Sequence, residues 1–106
     1  MGKKESLMLI KGFVEKLRKV FSIHNVVFFG SRANGKVRED SDIDLIIVSD
    51  DFEGMDFFER VSRMYKYWDG LVPVDFLCYT VKEYERLKKR ISIVSEALRS
   101  GIVVNV

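Results

Sequence analysis

From Leu7 to Phe21 apolar residues recur at helical spacing, at Ile10, Phe13, Val14, Leu17, Val20 and Phe21, with Lys11, Glu15, Lys16, Arg18 and Lys19 on the other face. That period predicts an amphipathic helix with a solvated basic face, and Ser6 is placed to cap its first turn. Gly12 within it costs about 1 kcal/mol relative to alanine, which suggests a close packing contact. Val26-Val27-Phe28-Phe29 then reads as a buried strand. Gly30 to Ser41 is polar and glycine-containing, with a short helix expected after Gly30-Ser31. Ile43 to Val48 is the most apolar run and is placed centrally in a sheet. After the acidic turn Ser49 to Gly54, the stripe Phe57, Phe58, Val61, Met64, Tyr65, Trp68 predicts a second helix capped by Asp56 and stopped by Asp69-Gly70. Its aromatics are expected to be core, with Tyr67 off the stripe and exposed. Val72 to Cys78 reads as a third strand, with Pro73 near its start marking an edge or an irregular entry. Thr80 and Glu83 form a capping box for a helix starting at Val81, with Ile91-Ser92 as a candidate break and Gly101 as its end. Ile102 to Val104 adds a last strand.

This alternation gives an α/β fold, a small sheet with helices packed on it. The sheet is expected to be mixed, because the link between the first two strands is too short for a full crossover. The 106 residues fit a single domain, 1–106. With 47% hydrophobic and 32% charged residues, a core can form and overall disorder is not expected. Cys78 is the only cysteine, so an intrachain disulfide is excluded and a reducing compartment fits. The start has no long apolar region or cleavage site, and no run approaches the ~20 apolar residues of a membrane span. These features lead to the expectation of a soluble, cytoplasmic protein with no membrane contact. The net charge of +2, without a basic stripe carrying interleaved aromatics, counts against direct nucleic-acid binding.

The chemistry is concentrated around two motifs. Asp42 and Asp44 lie one residue apart at the start of a strand, so both point to one face, with Cα atoms roughly 6.5–7 Å apart. Two such carboxylates repel unless a cation lies between them, and their hard oxygens suit Mg²⁺ or Mn²⁺. Asp75, between Val74 and Phe76 in the third strand, is costly there unless paired, ligated or neutralised. If the second and third strands are neighbours, it completes a three-carboxylate site for phosphoryl-type transfer. Gly30-Ser31 follows a strand, so its backbone N–H groups and the Ser31 hydroxyl can hold a triphosphate. Arg32, Lys36 and Arg38 either add positive charge or are solvated loop residues. His24, the only histidine, reads as structural or exposed rather than as a ligand. The acidic cluster at Asp50, Asp51 and Glu53 lies at the far end of its strand and is left out of the site.

Gly30-Ser31, ten residues, Asp42-Ile43-Asp44 and then Val74-Asp75-Phe76 resemble the pattern of the nucleotidyltransferase superfamily that includes DNA polymerase beta. The chain looks most like its minimal nucleotidyltransferases, and the match spans essentially the whole sequence. The resemblance implies a polymerase-beta-like nucleotidyltransferase fold, with Gly30 and Ser31 binding the phosphates of a nucleoside triphosphate. It further implies Asp42, Asp44 and Asp75 as catalytic residues that coordinate Mg²⁺ (or Mn²⁺), Asp75 also helping to deprotonate the acceptor. ATP is the implied nucleotide and pyrophosphate the leaving group. A HEPN-domain protein is the implied partner in a toxin–antitoxin pair, AMPylated on a tyrosine by the antitoxin. A chain of this length leaves no room for an acceptor-binding domain, so the acceptor is expected on a second protein or subunit, with Tyr67 or the C-terminal segment as a contact. An uncovered sheet edge is also compatible with a homodimer. The rival reading is a non-catalytic nucleotide-binding or partner-neutralising module; the presence of all three carboxylates and of Gly-Ser favours the enzyme.

Overall fold

The computed structural model describes residues 2–35, 42–68 and 70–104. Its elements run α1 (Lys3–Leu17), β1 (Asn25–Phe29), β2 (Ile43–Val48), a 3₁₀ turn at Asp50–Phe52, α2 (Phe57–Tyr65), β3 (Val74–Tyr79), α3 (Val81–Lys88), α4 (Ile93–Ser100) and β4 (Ile102–Val104). The four strands form one sheet in the order β3-β2-β1-β4. β1 is antiparallel to both β2 and β4, whereas β2 and β3 are parallel and joined through α2. The sheet is therefore mixed and β2 is interior, as the sequence predicts, and Pro73 precedes an edge strand, the first of its two readings.

Alternation along the strands sends side chains to two faces. Val26, Phe28, Ile43, Leu45, Ile47, Val74, Phe76 and Cys78 pack with Ile10, Phe13, Val14 and Leu17 of α1 and Met64 of α2. Val27, Ile46 and Val48 face the other way, under Tyr84 of α3 and Val94 and Ala97 of α4. Asp42, Asp44 and Asp75 share the parity of this second face, at the end of the sheet where β2 and β3 begin.

Several local expectations are corrected. α1 starts before Ser6: Gly2 N–H donates to Glu5 Oε2 at 2.9 Å, and the buried Ser6 hydroxyl donates back to Gly2 O at 2.9 Å within the first turn. Glu5 thus supplies the terminal acceptor expected of Ser6. Gly12 is exposed and a Cβ there would meet nothing within 4 Å, so it serves no close contact. On α2 only Met64 is fully buried, while Phe57 and Phe58 are exposed, because the helix lies against an edge strand. Tyr67, expected to be exposed, is part-buried edge-on against Phe21, with ring centroids 6.1 Å apart. The break in the last helical segment is real: Ser92 caps α4 by accepting from Ser95 N. Gly101 ends α4 with an extended backbone; a side chain there would meet Ala97 O at 2.4 Å and Phe28 O at 2.7 Å. Lack of space, not a left-handed turn, accounts for that glycine.

The acidic turn is structural. Asp51 Oδ2 accepts from Ser22 N at 2.7 Å and Asp50 Oδ1 from Val81 N at 3.1 Å. His24 is exposed and its backbone N–H extends the β1–β2 ladder by donating to Val48 O at 2.8 Å. No helix among the described residues is long and apolar enough to cross a membrane.

Candidate active site

Parallel pairing of β2 with β3 sets Asp44 directly beside Asp75, with strands about 4.8 Å apart. The antiparallel β1–β2 pairing sets Phe29 on the other side of Asp44. A row Asp75–Asp44–Phe29 therefore crosses three strands on one face, and Asp42 lies one pleat step outside it. Gly30, the residue after Phe29, is held at φ +83°, and a Cβ there would fall 2.1 Å from Asp44 Oδ2. The Asp44 carboxylate thus lies against the bare Cα of Gly30. The turn that follows is closed by Asn34 N–H donating to Gly30 O at 3.1 Å. Residues 31–35 form turns rather than the expected short helix.

The charges on this face interact. Burial, then Asp75, then Asp42 push the Asp44 carboxyl up to about 6. Local desolvation and the neighbouring Asp42, with which it shares a side-chain hydrogen bond, raise Asp75 as well. Asp75 itself is exposed rather than enclosed in the core, because β3 turns it away from the α1–α2 side. The cost attributed to it from sequence is therefore one of local desolvation and like-charge crowding, not of full burial.

Three carboxylates on one strand-end face form a donor set of hard oxygens, the kind that takes Mg²⁺ or Mn²⁺. Among the described residues no three acidic, histidine or cysteine side chains converge as a preformed ion site. Like charges close on one point around a cation or a shared proton, and burial first, then the neighbouring carboxylates, raise the proton affinity of Asp44 and Asp75. The residues fit such an ion by chemistry and by face.

Of the other candidates, Ser31 is half-buried next to Gly30, while Lys36 and Arg38 lie outside the described residues. Arg32 is 4% exposed, so it is not the solvated loop charge that was one of its two readings. No periodicity in that polar stretch signals its burial. Sequence reasoning also missed the apolar side of the site: a cleft of about 360 Å³ is lined by Phe29, Asp44, Phe57, Asp75, Leu77 and Ile93, among others. Phe57 and Ile93 are the first residues of α2 and α4, each directly after a cap, and that position at a helix mouth was the available signal.

The profile of the nucleotidyltransferase domain family matches residues 7–100. A crystal structure of a candidate nucleotidyltransferase from Sulfolobus solfataricus superposes with a TM-score of 0.69 at 26% identity, covering 95% of this chain and 80% of that one. No curated protein matches the sequence significantly.

Proposed function

Because the chain belongs to the nucleotidyltransferase domain family, we propose that it transfers AMP from ATP to a hydroxyl of a partner protein, in a Mg²⁺-dependent reaction. The acceptor is a tyrosine of a HEPN-domain toxin, and the protein acts as its antitoxin. The observation that carries the transfer reading is the pairing of Asp44 with Asp75 on adjacent parallel strands, with Asp44 seated on Gly30. The partner rests on the sequence resemblance.

In this reading the Gly30-Ser31 turn holds the triphosphate through backbone N–H groups and the Ser31 hydroxyl. Asp42, Asp44 and Asp75 would hold the metal, which would supply neutralisation of the negative charge that builds up in the transfer. The acceptor oxygen attacks the α-phosphorus, the bond from that phosphorus to the oxygen bridging the β-phosphate breaks, and its electron pair leaves with pyrophosphate. The acceptor's proton passes to Asp75, the exposed carboxylate, and from there to water. Asp75 is suited to this because local desolvation and the neighbouring Asp42 raise its proton affinity.

The test is intact mass after incubation with ATP, Mg²⁺ and the HEPN-domain protein encoded beside this gene. An AMP adduct on the partner, lost with Asp44→Asn, is expected. Neutralisation of the toxin by the Asp44→Asn protein without any adduct overturns transfer in favour of plain binding.

A further inference from the structure

We infer that Tyr65 and Trp68 are positioning residues for the site: by gripping the outer edge of β3 on both sides of Asp75, they keep that carboxylate opposite Asp44, where the two can share a divalent cation. The inference rests on the nucleotidyl-transfer reading above and deepens it.

Asp44 and Asp75 are held unequally. Asp44 lies on β2, with ladder partners on β1 and on β3. Asp75 lies on β3, at the end of the sheet, with β2 on one side and no strand on the other among the described residues. An edge strand opens locally more readily than an interior one, because one side of its backbone has no ladder. The pairing of Asp44 with Asp75 therefore depends on what holds the outer edge of β3.

The backbone there alternates. Pro73 O accepts from Ile43 N at 2.9 Å and Tyr79 O from Ser49 N at 2.9 Å, so the odd-numbered carbonyls from 73 to 79 face β2. The even-numbered ones face outward, and side chains of α2 and of the turn after it reach them. Trp68 Nε1 donates to Val72 O at 3.0 Å, the Tyr65 hydroxyl to Val74 O, and Arg60 Nη1 to Cys78 O at 3.1 Å. These donors stand where a neighbouring strand would donate. Val74 O belongs to the peptide group whose N–H is on Asp75. That group is planar and trans, so with its carbonyl on Tyr65 its N–H is turned toward β2.

The same two rings grip the strand again just past Asp75. Tyr65 is edge-on to Phe76 with centroids 5.0 Å apart, and Trp68 is edge-on to Phe76 at 6.3 Å. Trp68 also lies edge-on against Phe13 of α1, at 5.3 Å, which ties the grip to the core. Water can satisfy a carbonyl at an open edge, but a donor on a ring locked by packing also fixes where that carbonyl lies.

The test compares Tyr65→Phe and Trp68→Phe, which keep a ring at each position and delete its donor, with Tyr84→Phe. The last deletes a hydroxyl that accepts from Asn25 Nδ2 at the other end of the sheet. Mg²⁺ is titrated into each full chain well below its melting temperature, and its Kd is read from the Asp44 and Asp75 amide shifts. Tyr65→Phe and Trp68→Phe should each raise that Kd about tenfold, and Tyr84→Phe should leave it within about twofold. At saturating Mg²⁺, kcat for transfer to the partner protein should fall about tenfold in Tyr65→Phe, with the KM for ATP within about twofold. Mg²⁺ Kd and kcat within twofold of wild type in both variants overturn the inference and leave the transfer reading standing. A loss in Tyr84→Phe as large as in Tyr65→Phe overturns it too, since the effect then follows stability rather than position. A raised KM for ATP with kcat unchanged overturns it by placing the rings on the nucleotide. No Mg²⁺ response at Asp44 and Asp75 in the wild-type chain overturns the metal-dependent transfer reading itself, and the positioning role with it.

Discussion

Asp44 is the side chain on which the site turns, and Gly30 is what lets it lie where it does. Any side chain at Gly30 would put its Cβ 2.1 Å from Asp44 Oδ2, at a φ of +83° that L residues rarely adopt. Gly30→Ala should cost about 1–3 kcal/mol in a urea melt and drop nucleotidyl transfer more than tenfold by displacing the carboxylate. Full activity in a folded Gly30→Ala protein would remove Gly30 from the site. Asp44 also gives stability a pH dependence of definite sign. Its carboxyl is pushed from 3.8 to about 6 on folding, so between those values the folded chain holds the proton more tightly than the unfolded one. This group's contribution to stability therefore falls as pH rises from 3.8 through about 6, and is flat above. Asp44→Asn should lose that slope and, at neutral pH, gain about 1 kcal/mol after allowance for solvent screening. Parallel pH–stability curves for the two proteins would contradict the assignment.

At the scale of elements, the surface of α1 offers a clean substitution. Gly12 is exposed, helical and touches nothing within 4 Å, so Gly12→Ala should stabilise the protein by about 1 kcal/mol in thermal or urea melts; destabilisation would reveal a contact for this glycine. The elements themselves were largely legible. Continuous apolar runs mark β1 and β2, a helical period marks α1 and α2, and the Thr80–Glu83 capping box stands as read, with Thr80 Oγ1 accepting from Glu83 N at 3.2 Å and Glu83 Oε1 from Thr80 N at 2.8 Å. What the pattern could not carry was tertiary. Tyr65 sits on the apolar stripe of α2 yet is 46% exposed, because its ring leans edge-on against Phe76, with centroids 5.0 Å apart, and its hydroxyl donates to Val74 O at the start of β3. Arg60 reads as an ordinary helix charge. In the fold it is anchored to Met55 O, Cys78 O and Glu83, tying α2 to the far end of β3 and to α3. In the site, the Asp-x-Asp spacing alone puts Asp42 and Asp44 on one face, whereas Asp75 joins them only through the parallel register of β2 and β3. The walls at Phe57 and Ile93 depend on where two helices begin, which hydrophobic period does not encode.

For the whole molecule, the sheet is apolar on both faces except for Asn25, which is bonded to the Tyr84 hydroxyl, and for the acidic end of that same face. α1 and α2 cover one face, α3 and α4 cover the inner part of the other, and the acidic row occupies what they leave. Negative charge gathered there opposes compaction, so a cation bound by it should stabilise the entire fold in proportion to its occupancy. Addition of Mg²⁺ is expected to raise the melting temperature by a few degrees at neutral pH, and chelation to reverse the rise. Because protons and metal compete for Asp44, the increment should shrink as pH falls through about 6. Asp44→Asn and Asp75→Asn should each abolish most of it, whereas Asp51→Asn, whose carboxylate accepts from Ser22 N–H outside the row, should keep it even if its baseline stability is lower. Monovalent salt at matched ionic strength separates binding from screening, since screening acts on all exposed charges alike. Equal Mg²⁺ increments in the wild-type and Asp44→Asn proteins would place the ion elsewhere and detach the metal from the strand-end carboxylates.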